Sequence, residues 1–203
     1  MKNSTQKGYF QFLAAFWRER SDAEKQTWQD ATTEVPFTNA LGEEFTPTAY
    51  QLFQARNLNM LKRGLSPIRS ISDTPNEVAD FIDPSYPPYF QVFPATETGT
   101  IDYFFESTVV DSTTALVIYA TDQYETLPSN AADLLQLLPT HTPFNDTYVY
   151  AYESEPISDP GDAWKDVFGV PQVDNNMLLR LEAIGLENGK IGVSRDYEVF
   201  MFD

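Results

Sequence analysis

One imidazole is present in the chain, His141, and Asp146 is the acid nearest to it along the sequence, in the stretch PTHTPFND. A serine triad would need that imidazole as its base, held by a carboxylate. Pro139 and Pro143 bracket it, so it reads as an ordinary loop residue. GxSxG, HExxH, GxxxxGKS/T and GxGxxG do not occur, which removes the commonest signatures of hydrolases, zinc proteases and nucleotide-binding loops. The absence of cysteine excludes a thiol nucleophile, a disulfide framework and Cys-built zinc or iron–sulfur sites. Paired carboxylates can run glycoside hydrolysis when they flank a cleft and burial tunes them apart. Among 30 acidic residues no pair stands out. DPGD (Asp159, Asp162) and VDNN (Asp174, Asn175, Asn176) offer oxygens to calcium, but EF-hand spacing is missing. Turn chemistry explains both stretches more simply. The aromatic run Tyr86-Pro87-Pro88-Tyr89-Phe90 would stack on a sugar ring or enter a strand packed on the core, and the second reading is favoured. No catalytic, cofactor-binding or metal-ligating residue is therefore assigned.

The chain that must position any site has 203 residues, 42% apolar and 14% aromatic, with 13 basic against 30 acidic side chains and a net charge of −17. This is a globular composition, sized for one or two small domains. Its charge repels phosphate backbones, so nucleic acid is not an expected partner. Arg18, Glu19 and Arg20 interrupt the opening stretch where a signal peptide needs an unbroken apolar core, and no run approaches the length of a membrane span. Neither secretion nor membrane insertion is expected.

Charge is unevenly divided. Residues 1–68 hold 8 basic and 7 acidic side chains, and the remainder holds 5 and 23. The linking stretch GLSPIRSISDTP, with Gly64, Pro67 and Pro75, cannot continue a helix. A boundary between residues 68 and 69 is expected, with a helical assembly or anchoring segment before it and an acidic domain after it. In the first segment Phe10, Leu13, Ala14 and Trp17 recur at helical spacing. Ser21 with Glu24 has capping-box spacing and opens a second helix carrying Trp28 and Ala31. VPFTNALGEEF is a turn-rich connection. Thr46 as N-cap with Pro47 at the first helical position predicts a third helix, ended by Gly64, with Tyr50, Phe53, Leu58 and Leu61 on one stripe and Asn57 among them.

Beyond residue 69 the period changes. YFQVF, TIDYFFESTVV, TALVIYAT, TYVYAYES, NMLLRLEAI and KIGVSRDYEVFMF have strand character. Asn188-Gly189 is a strong hairpin signal. Short helical insertions are expected at NAADLLQLL and GDAWKDVFG. The fold class is thus α+β: an N-terminal helical segment, then an antiparallel β-sandwich over 69–203.

Trp28-Gln-Asp-Ala31, Thr38-Asn-Ala-Leu-Gly42, Thr46-Pro-Thr-Ala-Tyr-Gln-Leu-Phe53, Asn57-Leu-Asn-Met-Leu61 and Gly64 together resemble a small module of bacteriophage structural proteins, over about residues 10 to 67. Ala49 stands where related sequences carry Gly, and Ala is the better helix former. AWKDVFGVPQ followed by NGKIGVSRDYEVFMF is similar to immunoglobulin-like or fibronectin-like sandwiches of Bacteroidetes phages and bacteria. The resemblance implies a capsid-associated, decoration or other head or tail assembly protein, made in the host cytoplasm, located in the virion and working through protein–protein contacts. Its implied partners are other virion proteins, as homo-oligomer or capsid and tail subunits, without cofactor, nucleic acid or membrane. The runner-up is a bacterial surface adhesion or carbohydrate-binding module. Three aromatic-rich helical pieces in about 60 residues are too few to bury their own large rings. Phe10, Trp17, Trp28, Tyr50, Phe53 and Leu61 are therefore the expected assembly interface.

Overall fold

A computed structural model describes residues 2–77, 89–92, 101–104, 113–137, 167–169 and 174–200. Helix α1 (Lys2–Arg18) turns Leu13, Phe16 and Trp17 inward, and Arg20 continues the same side past its end. This inward side is rotated from the expected one: Phe10 is 43% exposed. Phe16 stacks on Phe53 and Trp17 lies tilted against it, and satisfying two rings at once fixes which side of α1 is buried.

Ser21 caps α2 (Asp22–Ala31) as its spacing predicts. Glu24 N–H donates to Ser21 Oγ at 3.2 Å and Ser21 N–H donates to the Glu24 carboxylate at 2.7 Å. The Ser21 backbone N–H, joined by Arg69, holds the Glu24 carboxyl down to about 2. Trp28 and Ala31 point inward. Within the turn-rich connection lies a small hairpin, β1 (Phe37–Thr38) with β2 (Glu44–Phe45), paired Phe37 to Phe45. Asn39 Oδ1 accepts from the N–H groups of Leu41 and Glu43, and Gly42 takes the left-handed φ of 83° that closes the turn.

Helix α3 (Ala49–Lys62) begins two residues later than expected. Thr48, not Thr46, is its N-cap: Gln51 N–H donates to Thr48 Oγ1 and Thr48 N–H to Gln51 Oε1. The reciprocal bonds need an amide or carboxylate three residues past the cap, and Thr46 has only Ala49 there. Pro47 precedes the cap instead of opening the helix. At the other end Gly64 (φ 72°) forms a Schellman motif, with Leu65 N–H on Met60 O and Gly64 N–H on Leu61 O. The buried stripe is Leu52, Phe53, Arg56, Asn57 and Met60, whereas Tyr50, Leu58 and Leu61 are half-buried.

Both α1 and α2 pack on α3. After Gly64 a strap carrying buried Leu65, Ile68 and Ile71 returns over the helices. Asn57 Nδ2 donates to Phe53 O and Ile68 O while its Oδ1 accepts from Ile68 N–H. Trp28 Nε1 donates to Arg69 O at 3.0 Å and Ile71 N–H to Thr27 Oγ1. These bonds tie the strap to the helices, so the first compact unit runs to Ala79 and takes in Ile184–Ile191 as well. A break at residue 69 would cut through the strap.

In the second unit, Asp80–Ala183 with Gly192–Asp203, β3 (Tyr89–Val92) pairs antiparallel with β4 (Ile101–Phe104). A four-stranded sheet is ordered β6-β5-β7-β8, from β5 (Thr114–Ala120), β6 (Gln136–Leu137), β7 (Asn176–Gly185) and β8 (Ile191–Phe200). Met177, Leu179 and Leu181 of β7 are buried while Leu178 and Arg180 between them are half-buried, the alternation of a strand covered on one side. Arg180 grips Asp196 with two bonds of 2.6 and 2.8 Å. Among the described residues three α-helices and mostly antiparallel sheet make the fold α+β.

NAADLLQLL is not an α-helix. Ala131–Leu134 is a short 3₁₀ turn without a side-chain cap, and Gln136–Leu137 pairs with β5. Of GDAWKDVFG, Val167–Phe168 is helical and residues 161–166 lie outside the described residues, as does TYVYAYES. The hairpin at Asn188-Gly189 forms, with Gly189 at φ 64° and its N–H on Gly185 O. Asn188 does not take a left-handed φ, so the loop is longer than a two-residue primed turn.

Candidate functional site

Phe53 is the hub of the helical unit. Trp17 stands 4.8 Å from it, Trp28 5.2 Å, Phe16 6.1 Å and Tyr50 6.4 Å, all between ring centroids. Edge-on and offset arrangements such as the 81° Trp28 contact suit the ring quadrupoles. Of the expected interface residues, the structure joins Trp17, Trp28, Tyr50 and Phe53 in this cluster, while Phe10 and Leu61 stand outside it. Trp28 and Phe53 are fully buried. Each contributes about 1.5–3 kcal/mol by leaving water, and neither presents a surface to a partner. The helices do not cover these rings alone: the strap lies against them, with Trp28 Nε1 on Arg69 O and Asn57 Nδ2 on Ile68 O.

What does reach the surface is the outer end of the ladder. Phe12 stacks on Phe16 at 5.6 Å and is 46% exposed, and Phe10 is exposed on another side of the same helix. Tyr9–Trp17 contains a single polar residue, Gln11, so apolar side chains surround the helix while only one side is covered. At the β1–β2 hairpin Leu41 is 83% exposed and Phe45 is exposed too. Nearby cations lie on rings: the Arg20 guanidinium is 4.0 Å from the Phe16 centroid and also bonds Glu24. Phe12 and Phe16 were legible as an i, i+4 aromatic pair, though the first pattern ran through Phe10.

A second group of polar residues surrounds the hairpin tip within the same unit. Asn59 Nδ2 donates to Gly189 O, and Asn188 Nδ2 donates to Thr74 O and Glu77 O. Ser72 N–H donates to Glu187 O at 3.2 Å. A Cβ on Gly189 would lie 2.8 Å from Arg56 O, so only glycine permits this approach. Arg56 and Lys190 bond adjacent residues here, Pro75 and Asn76, and no sequence motif marks either.

His141, Asp146, Asp159, Asp162 and Tyr86–Pro88 lie outside the described residues. Asn176 opens β7 and its Nδ2 donates to Glu125 O, while Asp174 takes the left-handed φ of 67° just before the strand. Among the described residues no group of three or more acidic or imidazole side chains is placed to hold a metal, and no helix is long and apolar enough to cross a membrane. A scan against protein-family models and searches of curated proteins and of solved structures find no match to this chain.

Proposed function

We propose that the chain is a structural component of a bacteriophage virion, capsid-associated or otherwise part of head or tail assembly, acting through contacts made by its helical unit. The observation that carries this reading is the pair of exposed aromatic rings on α1, Phe10 and Phe12, within the apolar stretch Tyr9–Trp17. Exposed aromatics at such a place are the anchors on which protein interfaces concentrate their energy. Charge supports it. The helical unit with its hairpin tip holds 10 basic and 10 acidic side chains, and the sheet unit 3 and 20. A neutral surface can meet a partner while an acidic one stays solvated. We further infer that the sheet unit is an immunoglobulin-like or fibronectin-like sandwich, the two antiparallel sheets being its opposed layers.

In purified particles of the encoding phage, mass spectrometry should find the chain at a fixed copy number. The double variant Phe10→Ser/Phe12→Ser should incorporate about tenfold less or worse. Its stability should fall by about 1–2 kcal/mol, since both residues are exposed and only Phe12 stacks on a neighbour, Phe16. Normal incorporation of the variant, or particles lacking the wild-type chain, would overturn the proposal.

A further inference from the structure

Arg56 lies on the buried stripe of α3 and is only 7% exposed. Its guanidinium makes one hydrogen bond, Nη2 to Pro75 O at 3.3 Å, and no carboxylate faces it among the described residues. Burial pushes this guanidinium down from its ordinary range. The next residue of the strap, Asn76, receives a second cation: Lys190 Nζ donates to Asn76 O at 2.7 Å and to Oδ1 at 2.6 Å. Burial and the charge of Arg56 both push the Lys190 amine down. Glu77, the acid of the same turn, has its carboxylate on Thr74 Oγ1 at 2.9 Å. Among the described residues two positive charges thus share one turn without a counter-charge. A buried charge held by one neutral acceptor is costly, and the cost falls when an anion completes the shell.

Solvent reaches this turn at the half-exposed Lys190. Among the described residues Ser72 Oγ is a buried side-chain atom without any bond. Ser72 is on the same seam, its N–H bound to Glu187 of the hairpin tip. Guanidinium N–H groups in a planar fork are matched to the oxygens of carboxylate or phosphate.

We infer that Arg56 and Lys190 form a binding site for a small oxyanion, whose oxygens accept from the free N–H groups of Arg56 while Lys190 supplies the second charge. The same chemistry is available from free phosphate or from a carboxylate side chain of another polypeptide. The inference stands apart from the virion reading, since it rests on α3, the strap and the hairpin tip alone.

Calorimetric titration of the full chain at constant ionic strength tests it, with inorganic phosphate in one arm and a tetraglutamate peptide in the other. At least one arm should give saturable binding below about 10 mM. Phosphate alone would identify a free-anion site, the peptide alone a partner's carboxylate. Lys190→Met, at a half-exposed position, should weaken the binding about tenfold, and Arg56→Gln should abolish it. Because the Arg56 change is in the core, circular dichroism must show both variants folded, and the Lys190 variant decides if Arg56→Gln unfolds. Absence of saturable binding in both arms, or a Lys190→Met titration identical to wild type, overturns the site.

Discussion

Gly189 joins two parts of the chain far apart in sequence, and it does so by lacking a side chain. Its φ of 64° is disfavoured for any residue with a Cβ, and that Cβ would meet the Arg56 backbone at 2.8 Å. Gly189→Ala should therefore cost about 2–3 kcal/mol, read as a lower midpoint in urea unfolding. A variant as stable as wild type would show that the tip does not press on α3. Asn57 acts in the opposite way, through what it carries. Its amide joins Phe53, four residues before it, to Ile68, eleven residues after it, and both of its own polar atoms are bonded. Asn57 was visible in sequence as a polar residue on an apolar stripe, and the partner it needs was not.

Elements are marked by their ends more clearly than by their sides. The Ser21 capping box, the Gly64 terminus and the Asn188-Gly189 turn all lie where local spacing puts them. The start of α3 shows how fine the criterion is, because Thr46 and Thr48 are both good caps and only Gln51 discriminates. Thr48→Ala should cost about 1 kcal/mol in chemical denaturation, and Thr46→Ala close to nothing. Equal losses from the two would return the helix start to Thr46. The side of α3 was misjudged because two polar residues, Arg56 and Asn57, are buried on its stripe, and that of α1 because Tyr9–Trp17 is apolar on every side. When apolar residues ring a helix, periodicity does not choose the buried side, and the packing of Phe16 and Trp17 on Phe53 does.

At the scale of the molecule the two units differ in charge and in continuity. All of the net charge of −17 belongs to the sheet unit, whereas the helical unit is balanced and borrows eight residues from the β7–β8 hairpin. Deleting residues 1–64 should therefore not leave a well-behaved domain. The strap's Ile68 and Ile71 and the hairpin's Ile184 would lose their cover. Aggregation on size exclusion and strong binding of an apolar dye are expected, while a monomeric fragment melting cooperatively without dye uptake would show that the tip needs no helices. The amino-acid sequence by itself determined the Ser21 cap and the Gly64 terminus, the helix-to-strand switch, five of the strand runs and the charge division, because each depends on residues within a turn or on simple counts. Only the tertiary structure decided which rings are buried, that the strap belongs with the helices, and that Arg56 and Lys190 bond adjacent residues, Pro75 and Asn76. Bonds such as Asn59 to Gly189 join residues 130 apart, and no local preference encodes a contact whose partners come together only after the chain has folded.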